Sequence, residues 1–377
     1  MDFSFTETQT LLRNTVERFI QDKYDFESRQ KIVHSDEGWN RDHWNQFAEL
    51  GLLAASFDED LGGLGGDAVD TMVIMEELGK GLVVEPFLPT VVLGGGFLKH
   101  GGTDAQKADV IPAIIDGSCI ISIAYAEPKG RFNLADLETT ATKDGDGYVL
   151  NGHKAVALAG PMADKFIITA RTSGGQRDAD GVTVFIVDKA TDGLSTRDYP
   201  TVDGFRASEV MLDNVKVGSD GVIGEVGKGL PLIEKVMDEG IAAISAEACG
   251  VMKMLVDDTI EYSRNRKQFG VAIGSFQVLQ HRMVDMYLEF EQATSMTYMV
   301  NIKIDEDEGT RKKAASAAKV QIGQAGRFIG QNAVQIHGGM GITEELRVGH
   351  YFKRISMINT MFGNVDHHMK RYAALTD

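Results

Sequence analysis

The chain has 377 residues, of which 43% are apolar and 25% charged, a composition typical of globular proteins with two or three packed units. Its formal net charge of −17 excludes a broad nucleic-acid footprint, because phosphate binding requires a basic surface. The first residues do not resemble a secretory signal, and no apolar run reaches the length of a membrane span. We therefore expect a cytoplasmic protein without a membrane segment.

The first third of the chain has helical periodicity. Thr6 and Gln9 match a capping box at the start of a first helix, and Asn40 is placed to cap another. The glycine cluster FDEDLGGLGGD is predicted to be a loop; no strand precedes it, so it is a poor phosphate-binding turn. We predict an all-helical domain over residues 1–117, with later helices over 42–52, 67–79, 89–99 and 104–115.

The central part changes to strand periodicity. Short runs rich in β-branched and aromatic residues, such as KFIITART and VTVFIVDK, alternate with turn pairs such as Asn151-Gly152. This pattern predicts an antiparallel β domain over residues 118–227. Two cysteines, Cys119 and Cys249, lie far apart among apolar neighbours, which favours buried thiols over a disulfide or a metal site.

The last part, residues 228–377, returns to helical periodicity. Four long helices in a row predict an antiparallel bundle, with helices over 231–270, 275–303, 309–337 and 343–372.

Glu247 flanks the apolar stripe of the helix predicted over 231–270, and no cation lies one turn away from it on either side. Glu239, by contrast, follows Lys235 by four residues and has the pattern of an ordinary surface acid. A carboxylate beside apolar side chains is expected to have a raised pKa, as a general base requires. Periodicity alone also allows solvent exposure, or pairing of Glu247 with a distant arginine.

Five segments carry a resemblance to a known family: GLLAASFDEDLGGLGGD, AEP, DGDGYVLNGHK, SRNRKQFGVAIGSFQVLQ and AVQIHGGMGITEE. Their order and spacing resemble those of the acyl-CoA dehydrogenase family over the whole chain. The resemblance implies an α+β multidomain fold with an N-terminal helical domain, a central antiparallel β-barrel domain and a C-terminal four-helix bundle. Within the family, the chain is most similar to the small subunit of heteromeric pimeloyl-CoA-type and steroid side-chain-type dehydrogenases.

The resemblance also implies an FAD cofactor that is bound partly by residues reaching across a subunit boundary. A guanidinium group suits the FAD diphosphate, and glycines let backbone amides approach phosphate. The matching positions are Arg266, Phe269, Gln277, Gln335, Gly338 and Gly339. The structural alternatives are a basic helix end that complements the helix dipole and a glycine C-cap. His337 and the pair His367-His368 lack metal-ligand spacing, so no metal site is predicted.

The chain departs from the family pattern where the flavin ring is bound. The family commonly has Thr and Ser around its Glu-Pro pair, whereas this chain has Ala126 and Phe132. A Trp and a Thr of the next flavin segment are replaced by Val156 and Leu158.

The usual C-terminal catalytic Glu is also absent, since Met361 or Phe362 occupies its position. The alternative base position that some branches use corresponds to Gly240. Glu247 therefore becomes the candidate base.

Two interpretations follow from the resemblance. In the first, Glu247 removes an α-proton from an acyl-CoA thioester while the β-hydrogen leaves as hydride to FAD. In the second, the chain is a non-catalytic mate subunit that completes the FAD site of a larger homologous chain. A heterotetramer with a shared FAD site accommodates both, and a homo-oligomer is the alternative assembly.

A flavin-free structural or regulatory homologue stays open, as do an acyl-CoA oxidase and a flavin monooxygenase. The family implies an electron-transfer flavoprotein as electron acceptor.

Overall fold

The computed structural model describes residues 4–375. The N-terminal helices begin where local capping signals predict them. The Thr6 hydroxyl accepts from the amide of Gln9, whose side chain accepts from the amide of Thr6, and Asn40 caps the third helix. These helices are α1 (Glu7–Lys23), α2 (Phe26–Val33), α3 (Arg41–Glu49), α4 (Ala68–Gly81), α5 (Gly95–Gly101) and α6 (Asp104–Ile115). The predicted helix over 89–99 is instead a π-helical segment, Leu88–Gly94, followed by α5.

The central region forms one eight-stranded sheet. Its strands are β1 (Ile121–Ala124), β2 (Thr140–Asp144), β3 (Gly147–Leu158), β4 (Lys165–Arg171), β5 (Val182–Asp188), β6 (Leu194–Pro200), β7 (Arg206–Val217) and β8 (Val222–Ile223). The order along the sheet is β6-β7-β3-β2-β4-β5-β8, and β1 pairs with β4. Alternating apolar side chains on β3, β4, β5 and β7 form its core, which includes Leu150, Phe166, Phe185 and Val210.

The predicted closed antiparallel barrel is wrong in two respects. The terminal strands β6 and β8 do not pair in the described structure, so the sheet is open. It is also mixed, because β1 runs parallel to β4 and β2 meets β4 in parallel through Thr140 and Arg171. Strand pairing joins residues distant in sequence, which local periodicity does not specify.

The C-terminal region contains long helices, as predicted, with different ends. They are α7 (Leu230–Asn265), α8 (Gln277–Lys303), α9 (Glu308–His337), α10 (Arg347–Thr360) and α11 (Val365–Ala374). A small hairpin, β9 (Lys267–Gln268) and β10 (Val271–Ala272), lies between α7 and α8. The predicted last helix is broken in two, because Phe362 and Gly363 have positive φ angles of 57° and 115°.

The chain divides into two compact units. One contains the residues up to 31, residues 68–83 and those from 241 onward; the other contains residues 32–67 and 84–240. The predicted boundaries at residues 117 and 227 are not tested by this division and stay predictions.

Both cysteines are buried free thiols, as predicted. Within residues 4–375, no helix combines the length and the apolar character needed to cross a membrane.

Candidate functional site

The C-terminal end of α7 is followed by an exposed β-hairpin with a two-residue turn. The helix ends at Asn265, five residues before the predicted end at Gly270, and Gln268 pairs with Val271 across the turn. Phe269 and Gly270 form the turn with φ angles of 55° and 83°. Two successive positive φ angles match the twist of a tight hairpin, and glycine adopts them readily, whereas phenylalanine does not. The chain therefore holds a bulky aromatic residue in an unfavourable backbone conformation.

Residues 266–271, which include the hairpin turn, are exposed. Phe269 is 93% exposed, and its main aromatic neighbour is Phe276, at 6.2 Å between ring centroids. Arg266 is exposed and forms no ion pair with any residue between 4 and 375. Gln277, the first residue of α8, is exposed as well. An unpaired guanidinium beside an exposed aromatic ring can bind a phosphate and a planar base.

The glycines after α9 form an open turn. Gly338 caps the helix with φ 60° and ψ −142°, a conformation that favours glycine, and its amide donates to the carbonyl of Gln335. A Cβ atom added to Gly338 or Gly339 would have no atom of the described residues 4–375 within 4 Å. The predicted C-cap is therefore present, and the space beside both glycines is free. Gln335 is exposed on the last turn of α9.

Tyr262 brings the hairpin and the glycine turn together. Its ring stacks on the buried imidazole of His337, with centroids 4.2 Å apart, and its hydroxyl lies 3.4 Å from the His337 carbonyl oxygen. The His337 Nδ1 atom is 2.8 Å from the Ala333 carbonyl oxygen, and burial lowers the His337 pKa. His337 thus has a packing and hydrogen-bonding role. Four residues after Tyr262, Arg266 begins the segment that leads to the hairpin.

The donor set of these segments fits an FAD diphosphate. Within residues 4–375, it combines the unpaired guanidinium of Arg266, two exposed amide side chains and glycine backbone that no described residue covers. No group of three or more His, Cys, Asp or Glu side chains suited to a metal occurs in residues 4–375.

In the sheet region, the AEP and NGHK segments meet through a buried ion pair. Lys154 Nζ lies 2.7 Å from Glu127 Oε1 and 3.2 Å from Thr169 Oγ1, and the amides of Glu138 and Thr139 donate to the same carboxylate. Burial would raise the pKa of Glu127, but Lys154 and these amides hold it below its usual value. Burial lowers the pKa of Lys154 to about 8, against the opposing effect of Glu127. This ion pair holds the two motif segments together. Both of its charged groups already have hydrogen-bond partners within the protein.

The four positions that the resemblance assigns to the flavin ring are apolar here. Val156 is exposed, and Leu158, Ala126 and Phe132 are half-buried, and none of the four offers a hydroxyl to a ligand. The adjacent Tyr125 is half-buried, and burial raises the pKa of its phenol to about 12. Tyr125 can donate a hydrogen bond but does not ionise near neutral pH.

Glu247 has a cationic partner, although none lies one turn away from it along α7. Arg354 of α10 donates from Nε to Glu247 Oε1 at 2.5 Å and from Nη2 to Oε2 at 2.8 Å, and both side chains are buried. Both carboxylate oxygens of Glu247 are thus engaged by one guanidinium. The pairing with a distant arginine is the alternative that periodicity left open. It counts against Glu247 as a base.

The connector between α10 and α11 offers no base either. Phe362 packs against the buried cluster that includes Ile241 and Ala242 of α7, and Met361 ends α10. Lys319 of α9 holds this connector through three carbonyl oxygens, those of Ile358 at 2.8 Å, Asn359 at 3.1 Å and Gly363 at 2.9 Å.

The pairing of Glu239 with Lys235 is also not formed. Instead, Glu239 Oε1 lies 2.6 Å from Nε2 of His100 on α5, and both side chains are mostly buried. Sequence reasoning missed this pair because the two residues are 139 positions apart. The only indication of this pair in the sequence was a histidine, His100, near the end of the glycine-rich helix α5.

Comparison with known proteins decides the family. Family models for the acyl-CoA dehydrogenase N-terminal, middle and C-terminal domains match residues 6–118, 122–215 and 227–374. The chain belongs to the acyl-CoA dehydrogenase family. It is accordingly an oxidoreductase of the acyl-CoA dehydrogenase type, with the helical, sheet and helical domains of that family.

Other acyl-CoA dehydrogenase family proteins align over nearly the whole chain. The caffeyl-CoA reductase-Etf complex subunit CarC of Acetobacterium woodii is 30% identical over 93% of each chain. Butyryl-CoA dehydrogenase from Megasphaera elsdenii has a solved structure that superposes with a TM-score of 0.91 at 25% identity, covering all of both chains. A variant of the Tcur3481-Tcur3483 steroid acyl-CoA dehydrogenase superposes with a TM-score of 0.89 at 26% identity over 98% of both chains.

Proposed function

We propose that this acyl-CoA dehydrogenase converts an acyl-CoA thioester to the 2-enoyl-CoA with FAD, as one subunit of a heteromer that shares an FAD site with a larger homologous chain. The observation that carries the proposal is the outward-facing hairpin of Arg266 and Phe269. Its strained turn and exposed ring are unfavourable in an isolated chain. They are explained by a ligand and a partner surface that cover them.

Each predicted cofactor residue has a chemical role in this proposal. Arg266 neutralises the diphosphate of FAD, and the open backbone at Gly338 and Gly339 lets peptide groups approach it. Phe269 stacks on the adenine side. The exposed amides of Gln277 and Gln335 supply further hydrogen bonds. When bound, FAD accepts the β-hydrogen of the substrate as hydride.

The apolar positions in the sheet region support the heteromeric part of the proposal. With Ala126, Val156 and Leu158 in place of hydroxyl and aromatic groups, this chain contributes little to holding a flavin ring. Two relatives are named as parts of assemblies, CarC as a subunit of a complex with Etf and the steroid dehydrogenase as a Tcur3481-Tcur3483 pair. We extend this by proposing a mate subunit, with a homo-oligomer as the alternative. An electron-transfer flavoprotein is the proposed acceptor, and a location in the cytoplasm stays a prediction.

The test is to purify the chain alone and together with a co-expressed larger homologous subunit, and to record the flavin absorption of each preparation. We expect yellow protein and turnover of acyl-CoA thioesters with an artificial electron acceptor only from the co-purified complex. Full FAD occupancy and activity of the chain alone would refute the heteromer. Colourless protein in both preparations would favour the flavin-free homologue.

A variant set then assigns the cofactor residues. Arg266→Ala is expected to lower FAD occupancy of the complex about tenfold or more, because a charge-assisted phosphate contact is lost. The matched control is Arg18→Ala, which removes an exposed arginine from a surface ion pair on α1. Oxygen consumption measured without an added acceptor separates a dehydrogenase from an oxidase or monooxygenase.

Glu247 as the base stays a prediction, and its ion pair with Arg354 weakens it.

A further inference from the structure

A cavity of about 330 Å³ lies within the compact unit formed by the residues up to 31, residues 68–83 and those from 241 onward. Its walls come from α1, α2, α4, α7 and α10. This volume is in the range of small-molecule binding sites. None of the residues that the resemblance assigns to FAD lines the cavity, so the proposed cofactor contacts do not account for it.

Aromatic and apolar side chains form the inner part of the cavity. Tyr24 and Tyr351 are almost fully buried, and Phe26 is half-buried. The Tyr351 hydroxyl donates to the carbonyl oxygen of Lys80, so its hydrogen is already used within the protein. Three aromatic rings in one cavity suit an organic cation, because π-faces attract positive charge and the rings remove an apolar body from water.

Glu77 of α4 places a carboxylate in the same cavity. Its side chain is only 2% exposed. Glu77 Oε1 accepts from Lys80 Nζ at 2.6 Å and from Arg13 Nε at 3.2 Å, whereas Oε2 accepts no hydrogen bond from any residue between 4 and 375. Burial raises the pKa of Glu77, and the opposing effects of Lys80 and Arg13 do not cancel this shift. A buried carboxylate oxygen without a partner is unfavourable, and a donor on a ligand would satisfy it.

The charges around the cavity leave a negative excess. The charged side chains that line it are three carboxylates and two cations, namely Glu17, Asp25, Glu77, Lys80 and Arg347. Lys80 already binds Glu77. Arg347 already binds Asp258, through two contacts of 2.6 and 2.7 Å. Glu17 and Asp25 are exposed and form no ion pair within residues 4–375, so the outer part of the cavity attracts cations rather than anions.

We propose that this cavity binds a small organic ammonium ion, whose nitrogen donates to Glu77 Oε2 and whose apolar or aromatic body packs against the rings of Tyr24, Phe26 and Tyr351. An ammonium group carries donors and no acceptor, so it satisfies the carboxylate oxygen without adding an acceptor of its own. One positive charge also matches the excess of one carboxylate among the lining residues. The site is a second ligand site of the chain and does not depend on the FAD chemistry proposed above.

The test is a titration of the full chain by isothermal calorimetry with two probes of similar shape. The first is 2-phenylethylamine, which is protonated at neutral pH, and the second is 2-phenylethanol, which has the same ring and chain but no charge. We expect one molecule of the amine to bind per chain, about tenfold or more tightly than the alcohol. The anion 3-phenylpropionate should not bind.

Two pairs of variants locate the site. Glu77→Gln should weaken binding of the amine about tenfold or more, because the acceptor loses its charge. Its matched control is Glu76→Gln on the same helix, which removes a carboxylate that also pairs with Arg13 and Lys80 but does not line the cavity, and which should bind like the wild type. Gln21→Trp adds bulk at an exposed wall residue and should block entry, whereas Arg18→Trp, exposed on α1 outside the cavity, should not.

Circular dichroism shows which variants are folded, and Gln21→Trp decides the location if Glu77→Gln is not. Equal affinity of Glu77→Gln and Glu76→Gln, or unchanged binding by Gln21→Trp, would overturn the assignment to this cavity. Equal affinity for the amine and the alcohol would overturn the ammonium class. The absence of saturable binding of the amine to the wild type up to about 10 mM would overturn the site itself.

Discussion

Arg354 and Glu247 form a two-point ion pair that joins α10 to α7 inside the helical unit. Its two N–O distances are 2.5 and 2.8 Å, and both side chains are almost inaccessible to solvent. Two charges in a medium of low polarity depend on each other, because each would otherwise be desolvated without compensation. We therefore expect the loss of one partner to lower the free energy of unfolding.

We predict that Glu247→Gln lowers the free energy of unfolding by about 3 kcal/mol, because it leaves the Arg354 charge buried without a counter-charge. Urea denaturation followed by circular dichroism measures this. The double variant Glu247→Gln/Arg354→Met should recover much of the loss, since it removes the orphaned charge as well. Unchanged stability combined with abolished turnover would contradict this account and support Glu247 as the base.

The crossing of α4 and α7 gives a second prediction. A Cβ atom on Gly79 would lie closer than 3.0 Å to the carbonyl oxygen of Glu247. A Cβ atom on Gly250 would likewise lie closer than 3.0 Å to the carbonyl oxygen of Glu76. Both obstacles are backbone atoms, which cannot rotate away. Gly79→Ala and Gly250→Ala should each destabilise the chain by about 2 kcal/mol or more, although alanine is usually favoured over glycine in helices.

The control for this crossing is Gly309→Ala in the first turn of α9, where the one nearby atom belongs to the side chain of Asp307. We expect its stability to be unchanged or slightly raised. Thermal unfolding of the three variants compares them directly, and equal melting temperatures would show that the crossing is not tightly packed.

Structural features that depend on residues close together in the sequence could be predicted from it. The capping box at Thr6 and the cap at Asn40 were predicted because the donor and the acceptor lie within three positions of each other. The partner of Glu247 lies 107 positions away, beyond the reach of helical periodicity. The candidate cofactor residues were identified by resemblance, and their exposure required the structure.

The aromatic residue at the hairpin tip gives a third prediction. Phe269 is 93% exposed and has a φ of 55°, so it contributes little to the folded chain. Asparagine tolerates this backbone region. Phe269→Asn should therefore change the free energy of unfolding of the isolated chain by less than about 1 kcal/mol, whereas a buried phenylalanine typically costs 3–5 kcal/mol when truncated.

The same variant should weaken FAD retention by the complex, measured as flavin absorption after gel filtration. The matched comparison is Phe290→Ala on α8. The Phe290 ring is mostly buried, so we expect this variant to lower the free energy of unfolding before it affects FAD retention. Full FAD retention by Phe269→Asn would contradict the cofactor role.

The last prediction concerns Lys319, which is fully buried and bound to the carbonyl oxygens of Ile358, Asn359 and Gly363. Burial lowers its pKa from 10.5 to about 7, so between these values the unfolded chain binds more protons at this position than the folded chain. Its contribution to the free energy of unfolding should therefore rise as the pH increases from 7 towards 10. The urea midpoint of the wild type minus that of Lys319→Met, measured at pH 7 and pH 9.5, tests this. The variant has no titrating group at this position at either pH, so the change of this difference with pH reports the titration of Lys319. A difference that stays constant or shrinks with pH would show that Lys319 is charged throughout and that its three carbonyl acceptors outweigh its burial.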